Sequence, residues 1–399
     1  MENFSQKLNS FPFSETLAMN QKAADLRAQG YDIINLSIGE PDFETPFHIR
    51  EAAKEAINSG KYFGYPPIAG YKDLREAISE KVVLENKITC NPNQVIISGG
   101  AKQALFNIFT CFLNPGDEVI IFTPYWVSYD SIVRLTGGTP VYLREVESND
   151  FDYNHNQLEK LITPKTKAIL FSSPCNPTGH VFSQNLIEGI VHVLSKHKNI
   201  IAVADEIYEY LVFSGKHISL GSYKEIRNQV ITVNGFSKGF AMTGWRVGYM
   251  IATEQIVQAC EKIQSQVTAS SCSISQRAAL AAIKGNRDIV QTMCDSYKQR
   301  RDSILPLLKT IEGISLKVPN GAFYLFPDIS HYFGKIDGDM KISNSADFCS
   351  YMLQNAHTTI VEGAAFGAPN HVRLSYATKV ENLIEAIERI KTALKKLRN

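Results

Sequence analysis

The sequence predicts an α/β fold, a mostly parallel sheet flanked by helices, joined to a smaller α+β domain. Three observations predict it. Between about residues 95 and 252, short apolar runs alternate with helical patterns. Those runs are continuous in apolar character, as strands covered on both faces are. Over the last hundred residues the pattern changes to a long charged helix, short strands and a terminal amphipathic helix. That is the pattern of strands with helices kept to one side.

Strands are expected at 95–98, 118–123, 141–143, 168–172, 200–204, 230–233 and 247–251. Helices are expected at 101–113, 125–135, 156–162 and 184–197. Asn114-Pro115-Gly116-Asp117 closes the first helix and Gly137-Gly138 the second, because Gly and Pro punctuate regular structure. Beyond them, 287–311 reads as a helix, 316–326 as a hairpin around Pro319-Asn320-Gly321, and 372–376 as a strand. Leu383, Ile387, Ile390 and Leu394 share one face of the terminal helix. The segment up to about residue 45 is rich in turns. The division expected is a large domain of residues 46–285 and a small domain of residues 1–45 and 286–399.

Composition narrows the function classes. With 399 residues, 44% hydrophobic and 20% charged, the chain can bury a large core and is not a disordered one. Lys plus Arg number 41 and Asp plus Glu 40, a net charge of +1. Neither a nucleic acid nor an acidic membrane surface is expected as partner. No run of 18 apolar residues occurs, so no membrane helix is expected. Seven cysteines, with no C-x-x-C pair, argue against a disulfide framework and a zinc site, and for a reducing cytoplasm. The histidines form no H-E-x-x-H pair, so no metal is expected. Neither the P-loop nor the G-x-G-x-x-G signature is present.

What remains is a set of unusual loops at strand ends, where open α/β sheets bind ligands. Ser98-Gly99-Gly100-Ala101-Lys102-Gln103 joins a strand to a helix. Its small residues suit either an anion at the helix N-terminus or tight strand–helix packing. Trp126 is one of two tryptophans and suits either a stacking plate or a core aromatic. Ser173-Pro174-Cys175-Asn176-Pro177-Thr178-Gly179 is either a rigid turn or a stiff mount for the Asn176 amide. Asp205, in Asp205-Glu206-Ile207-Tyr208, ends a strand. A carboxylate buried there needs a cation such as a protonated heterocyclic nitrogen, whereas a surface carboxylate needs none. Lys238, in Ser237-Lys238-Gly239, is either a solvated charge or a desolvated amine nucleophile. Together the loops offer a phosphate cradle, an aromatic plate, a carboxylate, a phenol, an amide and an amine. Pyridoxal 5′-phosphate has a complement for each.

These loops carry a family resemblance. Gly39-Glu40-Pro41-Asp42-Phe43, Tyr65 with Pro66 to Gly70, and Gly99 to Phe106 begin it. Pro124-Tyr125-Trp126-Val127-Ser128-Tyr129, Asp205-Glu206-Ile207-Tyr208 and Ser237-Lys238 continue it. Met242-Thr243-Gly244-Trp245-Arg246 and Arg373-Leu374-Ser375-Tyr376 complete an ordered set spanning nearly the whole chain. The sequence resembles class I aminotransferases of pyridoxal-phosphate fold type I. It is similar in particular to the bacterial-type aspartate aminotransferases, a subgroup that includes prephenate aminotransferases.

The resemblance implies a role for each matching residue. Lys238 would bind the cofactor covalently and later shuttle a proton. Asp205 would keep the ring nitrogen protonated. Tyr208 and Asn176 would hold the ring's 3′ oxygen, and Trp126 would stack on the ring. The loop at Gly100, the N–H groups of Ala101 and Lys102, Ser237 and Arg246 would bind the phosphate. Tyr65 would reach the phosphate of a neighbouring subunit in a homodimer. Arg373, with Asn176 and the Gly39 backbone, would clamp the substrate α-carboxylate. Lys102 would face the distal carboxylate of acidic substrates, with Ser14 and Thr16 bordering it and Trp126 beside it. One departure is visible, Cys175 where the family commonly has Asn. The implied reaction is aspartate with 2-oxoglutarate, amino acids and 2-oxo acids being the small-molecule partners. The alternatives are a prephenate or aromatic aminotransferase, or a β-lyase on the same fold.

Overall fold

The computed structural model describes residue 11, residues 15–145 and residues 153–399. Seven strands form the central sheet. Named by their first residues, their order is Val95, Gly248, Val230, Ile201, Thr166, Glu118 and Thr139. Six strands point one way, and Gly248–Ile251 runs antiparallel between Val95–Ser98 and Val230–Gly235. The expected parallel sheet is therefore present, with one reversed strand.

Continuous apolar strands are used on both faces. Ile121, Leu170 and Val203 pack on one side with Leu105, Phe109 and Val257. Their neighbours Ile120, Ile169 and Ala202 pack on the other with Leu186, Ile190 and Leu194. Each residue along these runs enters one of two cores, so no position can be polar without loss. Each buried aliphatic side chain contributes about 1.5–3 kcal/mol by leaving water.

The terminal parts of the chain meet one another. Ile34–Asn35 pairs in parallel with Thr358–Thr359. Val372–Ser375 is flanked by Val361–Glu362 and Tyr324–Leu325, both antiparallel. The helix Val380–Leu394 buries Leu383, Ile387, Ile390 and Leu394, as its periodicity predicts. Among the described residues, no helix is long and apolar enough to cross a membrane.

Three local expectations are corrected. The helix expected from 125 begins at Ser128 and runs to Leu135. Tyr125 instead donates its N–H to the Phe366 carbonyl at 3.0 Å. The turn-rich N-terminal segment contains the helix Glu15–Ala28. Its Ala23 packs with Ile33 just beyond the helix and with Leu353, 330 positions away, so no amphipathic pattern within the helix marked it.

The segment 316–326 does not form a hairpin. Its ends do meet, at a single antiparallel bridge between Ser315 and Asp328. Its middle docks elsewhere, because Asn320 and Gly321 both donate to the Gly179 carbonyl, at 3.0 and 2.8 Å. Phe213 donates to the Asn320 carbonyl at 2.7 Å, and Ala322 to that of Leu211 at 2.9 Å. Tertiary partners outcompete the local turn. The docking ties the segment bearing Tyr324 to the loop bearing Asn176. Gly321 permits it, because a Cβ there would lie 2.5 Å from the Leu211 carbonyl oxygen. Gly321→Ala should therefore destabilise the protein by about 1–3 kcal/mol, read as a lower denaturant midpoint. An unchanged midpoint would remove this docking from the account.

Candidate active site

The carboxyl ends of the Glu118, Thr166, Ile201 and Val230 strands open onto one cleft. Asp205 ends the Ile201 strand, and the loops following the four strands carry Trp126, Asn176, Tyr208, and Ser237 with Lys238. The sheet thus brings together residues more than a hundred positions apart, as its topology requires.

Asp205 is the last residue of its strand and is buried. One carboxylate oxygen accepts the Tyr129 hydroxyl at 2.8 Å, and the other the Ile207 N–H at 3.2 Å. Burial pushes its pKa up from 3.8 to about 6, although the Tyr129 bond and the Ile207 N–H pull the other way. A carboxylate held at this depth is fitted to a cationic partner.

Lys238 donates to the Gly39 carbonyl, and its ammonium lies 5.9 Å from the Tyr208 ring centre. Burial lowers its pKa from 10.5 to about 8. Glu40 and Asp205 oppose the shift, while Arg373 and Arg246 add to it. The fraction of neutral amine at pH 7 rises roughly 300-fold over an ordinary lysine.

Tyr208 is buried, and its hydroxyl lies 2.6 Å from that of Tyr324. Burial, then the neighbouring Tyr324, raises the Tyr208 pKa well above the usual value, so it stays a neutral donor. Arg373 is fully buried. It donates to Asn176 Oδ1 at 3.0 Å and to the Ser37 carbonyl at 2.6 Å. Its Nε is buried without a hydrogen-bond partner, and Arg373 makes no ion pair among the described residues. An unpaired buried guanidinium costs several kcal/mol, so the site is built for an incoming anion. Gly39 lets it in, because a Cβ there would stand 2.8 Å from the Tyr324 hydroxyl and 3.9 Å from Arg373 Nη1.

A second place suited to an anion is the N-terminus of the helix Ala101–Phe112. The N–H groups of its first turn, including those of Ala101 and Lys102, have no intrahelical acceptor. Gly100 precedes it with φ +92°. A Cβ on Gly100 would meet Arg246 Nη2 at 2.6 Å, so glycine keeps the guanidinium against the loop. Arg246 donates to the Gly99 and Thr243 carbonyls at 3.1 and 2.8 Å. Ser237 is buried beside Lys238.

Trp126 packs edge-on against Tyr129 with ring centres 5.5 Å apart, and the Lys102 ammonium lies 4.9 Å from the Trp126 ring centre. Burial, then Arg246, lowers the Lys102 pKa. Thr16 stands half-buried in the helix Glu15–Ala28, and no hydrogen bond ties it to these residues. Ser14 lies outside the described residues. Tyr65 is 95% exposed and is not part of this cleft within one chain. The Cys175 thiol is buried and donates to the Pro124 carbonyl at 3.6 Å.

Two residues were not singled out by the sequence. Tyr129 sits in the motif after the Glu118 strand, but nothing in the motif says that its hydroxyl reaches Asp205. Tyr324 is 116 positions from Tyr208 and had no local signal at all.

A desolvated amine, a buried carboxylate, neutral phenol donors and two anion positions fit pyridoxal phosphate part by part. The fold and site together define a class of α/β enzyme that works on amino groups through such a cofactor. The chain belongs to the aminotransferase class I and II family, whose sequence model matches residues 31–390. Membership makes it an aminotransferase acting on amino and oxo acids, and implies pyridoxal phosphate as cofactor.

It is 42% identical over 397 residues to the bifunctional aspartate aminotransferase and glutamate/aspartate-prephenate aminotransferase of Petunia hybrida. The match covers 98% of this chain and 83% of that protein. The solved aspartate aminotransferase of Rhizobium meliloti superposes with a TM-score of 0.95 at 38% identity, covering 99% of this chain and 100% of that one. That of Thermus thermophilus with maleate gives 0.92 at 39%, covering 98% and 100%.

The buried Asp205 makes a prediction about pH. Its folded pKa lies above the unfolded value, so the folded state loses stability when the group ionises. The cofactor-free protein should weaken as pH rises from about 4 through about 6. Asp205→Asn removes that slope and should be more stable than wild type at pH 7, by up to about 3 kcal/mol, with no such advantage at pH 4. Thermal unfolding at each pH checks this. An advantage independent of pH would contradict it.

Proposed function

We propose that this protein transfers the amino group of aspartate to 2-oxoglutarate by a ping-pong route, with pyridoxal 5′-phosphate as cofactor. The observation that carries the reading is a pair of cations around one cleft, Arg373 and Lys102, neither in an ion pair among the described residues. Two cations suit a substrate with two carboxylates. The names of the Rhizobium and Thermus relatives support the same substrate.

The cofactor, when bound, supplies an electron sink for the bonds at the substrate α-carbon. Asp205 would hold a proton on its ring nitrogen. Tyr208 and Asn176 would donate to its 3′ oxygen, and Trp126 would cover its ring. The phosphate would be held by the N–H groups of Ala101 and Lys102, by Ser237 and by Arg246, which Gly100 lets close on the loop. Lys238 would anchor the cofactor and then carry a proton on Nζ, for which a pKa of about 8 suits a base working near neutrality. Arg373, Asn176 and the Gly39 backbone would orient the α-carboxylate. Lys102, together with Thr16, would meet the distal one.

The chain is read as a homodimer in which Tyr65 completes the neighbour's phosphate site. Its 95% exposure, beside Phe63 at 80%, supports that assembly. Residues 46–285 are read as the cofactor domain, and residues 1–45 with 286–399 as the small one. A cytoplasmic setting is supported by seven free cysteines. Prephenate or aromatic transamination, or β-elimination, would use the same residues, and the Petunia relative's name includes prephenate.

Lys238→Ala should abolish turnover, a loss of more than about 10⁴-fold given the base and anchor removed together. It should also lose the cofactor mass retained after borohydride reduction, read on the intact protein. Normal transamination by this variant would sink the assignment. Lys102→Ala should raise KM for aspartate and glutamate roughly tenfold more than for neutral amino acids. Equal effects would remove Lys102 from substrate choice. Assays with oxaloacetate, prephenate and phenylpyruvate as acceptors separate the aspartate reading from its alternatives, and aspartate should be the preferred donor to 2-oxoglutarate.

A further inference from the structure

Tyr324 touches three groups of the cleft at once. It lies on Tyr324–Leu325 and pairs with Ser375, two residues from Arg373 on the neighbouring strand. The residue is fully buried. Its ring lies against the Arg373 guanidinium, whose carbon is 4.7 Å from the ring centre. Its hydroxyl is 2.6 Å from that of Tyr208. The same hydroxyl closes on Gly39, where a Cβ would approach to 2.8 Å. One side chain therefore meets the proposed carboxylate clamp with its ring and the proposed ring-oxygen donor with its hydroxyl.

We propose that Tyr324 is a positioning residue that sets the donor strength of Tyr208 and the orientation of Arg373. The proposal rests on the reading of this cleft as an aminotransferase site. A phenol has one proton to donate and two lone pairs to accept with. If Tyr208 spends its only proton on the cofactor's 3′ oxygen, the 2.6 Å contact must run from the Tyr324 hydroxyl to the Tyr208 oxygen. Without the cofactor Tyr324 raises the Tyr208 pKa, but once the bond runs this way donors in series polarise one another, by roughly 10–30% per bond, and Tyr208 becomes the stronger donor. Arg373 assists, because a cation over the ring favours release of proton density from the hydroxyl. In return the ring face holds the guanidinium in place, at the separation where cation–π attraction acts. With Asn176 and the Ser37 carbonyl holding Nη1 and Nη2, the ring fixes the plane of the fork.

The test uses the holoenzyme. Tyr324→Phe keeps the ring and removes the hydroxyl alone. A donor to the ring oxygen stabilises its negative charge, so the proton bound beside it leaves at lower pH. Removing Tyr324's support should raise the pH midpoint of the cofactor's visible absorption by about 0.5 or more. It should lower kcat roughly 3–10-fold, with KM for aspartate within about twofold. Tyr324→Leu removes the face as well, and should weaken binding of succinate, an unreactive dicarboxylate, by roughly tenfold in calorimetry. A Phe variant with the wild-type midpoint and kcat, or a Leu variant with wild-type succinate affinity, overturns the proposal. A wild-type protein with no pH-dependent cofactor band overturns the aminotransferase-site reading instead, so the two failures differ.

Discussion

Desolvated charge is the constraint on which the rest of the structure depends. Asp205, Arg373 and Lys238 all sit at the mouth of the sheet, and burial shifts each one toward its neutral form. Among the described residues none of the three forms a salt bridge. Asp205 is held by a phenol and a backbone N–H, and Arg373 by an amide and a carbonyl. Dipoles fix their geometry without neutralising them. The apolar cores on the two faces of the sheet supply the stability that lets such groups persist, since each buried aliphatic side chain adds about 1.5–3 kcal/mol.

The same constraint explains why the cleft draws on so many segments. A partner that positions a charge without cancelling it must be neutral, and a neutral partner must arrive with a fixed direction. Ser37, Asn176, Tyr129 and Tyr324 come from four separate stretches of chain, each locked by its own main-chain contacts. The docking of Asn320 and Gly321 on Gly179 locks two of these stretches together.

Much of this was legible in the sequence. The strands at 95–98 and 118–123 read directly, because continuous apolar runs between turn residues have few other solutions. Asp205, Asn176 and Lys238 were legible because they lie at or just beyond the ends of such strands, where an α/β sheet presents its ligand site. Arg373 was named through the family resemblance, at a position inside a short strand. The failures have a common cause. The 316–326 segment, the start of the helix at Ser128 and the helix Glu15–Ala28 are all decided by partners distant in sequence. Tyr129 and Tyr324 belong to the same class. Tyr324 sits in an apolar run and Tyr129 among polar neighbours, and for both only the folded chain shows where the hydroxyl points.

The pairing of Ile34–Asn35 with Thr358–Thr359 has a consequence for the order of events on the ribosome. Thr359 donates its hydroxyl to Asn35 across 324 residues of sequence, and that Asn35 oxygen also takes the N–H and hydroxyl of Ser37. Ser37 in turn supplies the carbonyl that holds Arg373. Synthesis proceeds at about 5–20 residues per second, so the N-terminal strand waits roughly 15–70 s for its partner to emerge. The central sheet can assemble during that time, and Arg373, the proposed carboxylate clamp, is made after every strand of that sheet. A truncated nascent chain would carry the Ala101 helix N-terminus and Lys238 before it carried Arg373.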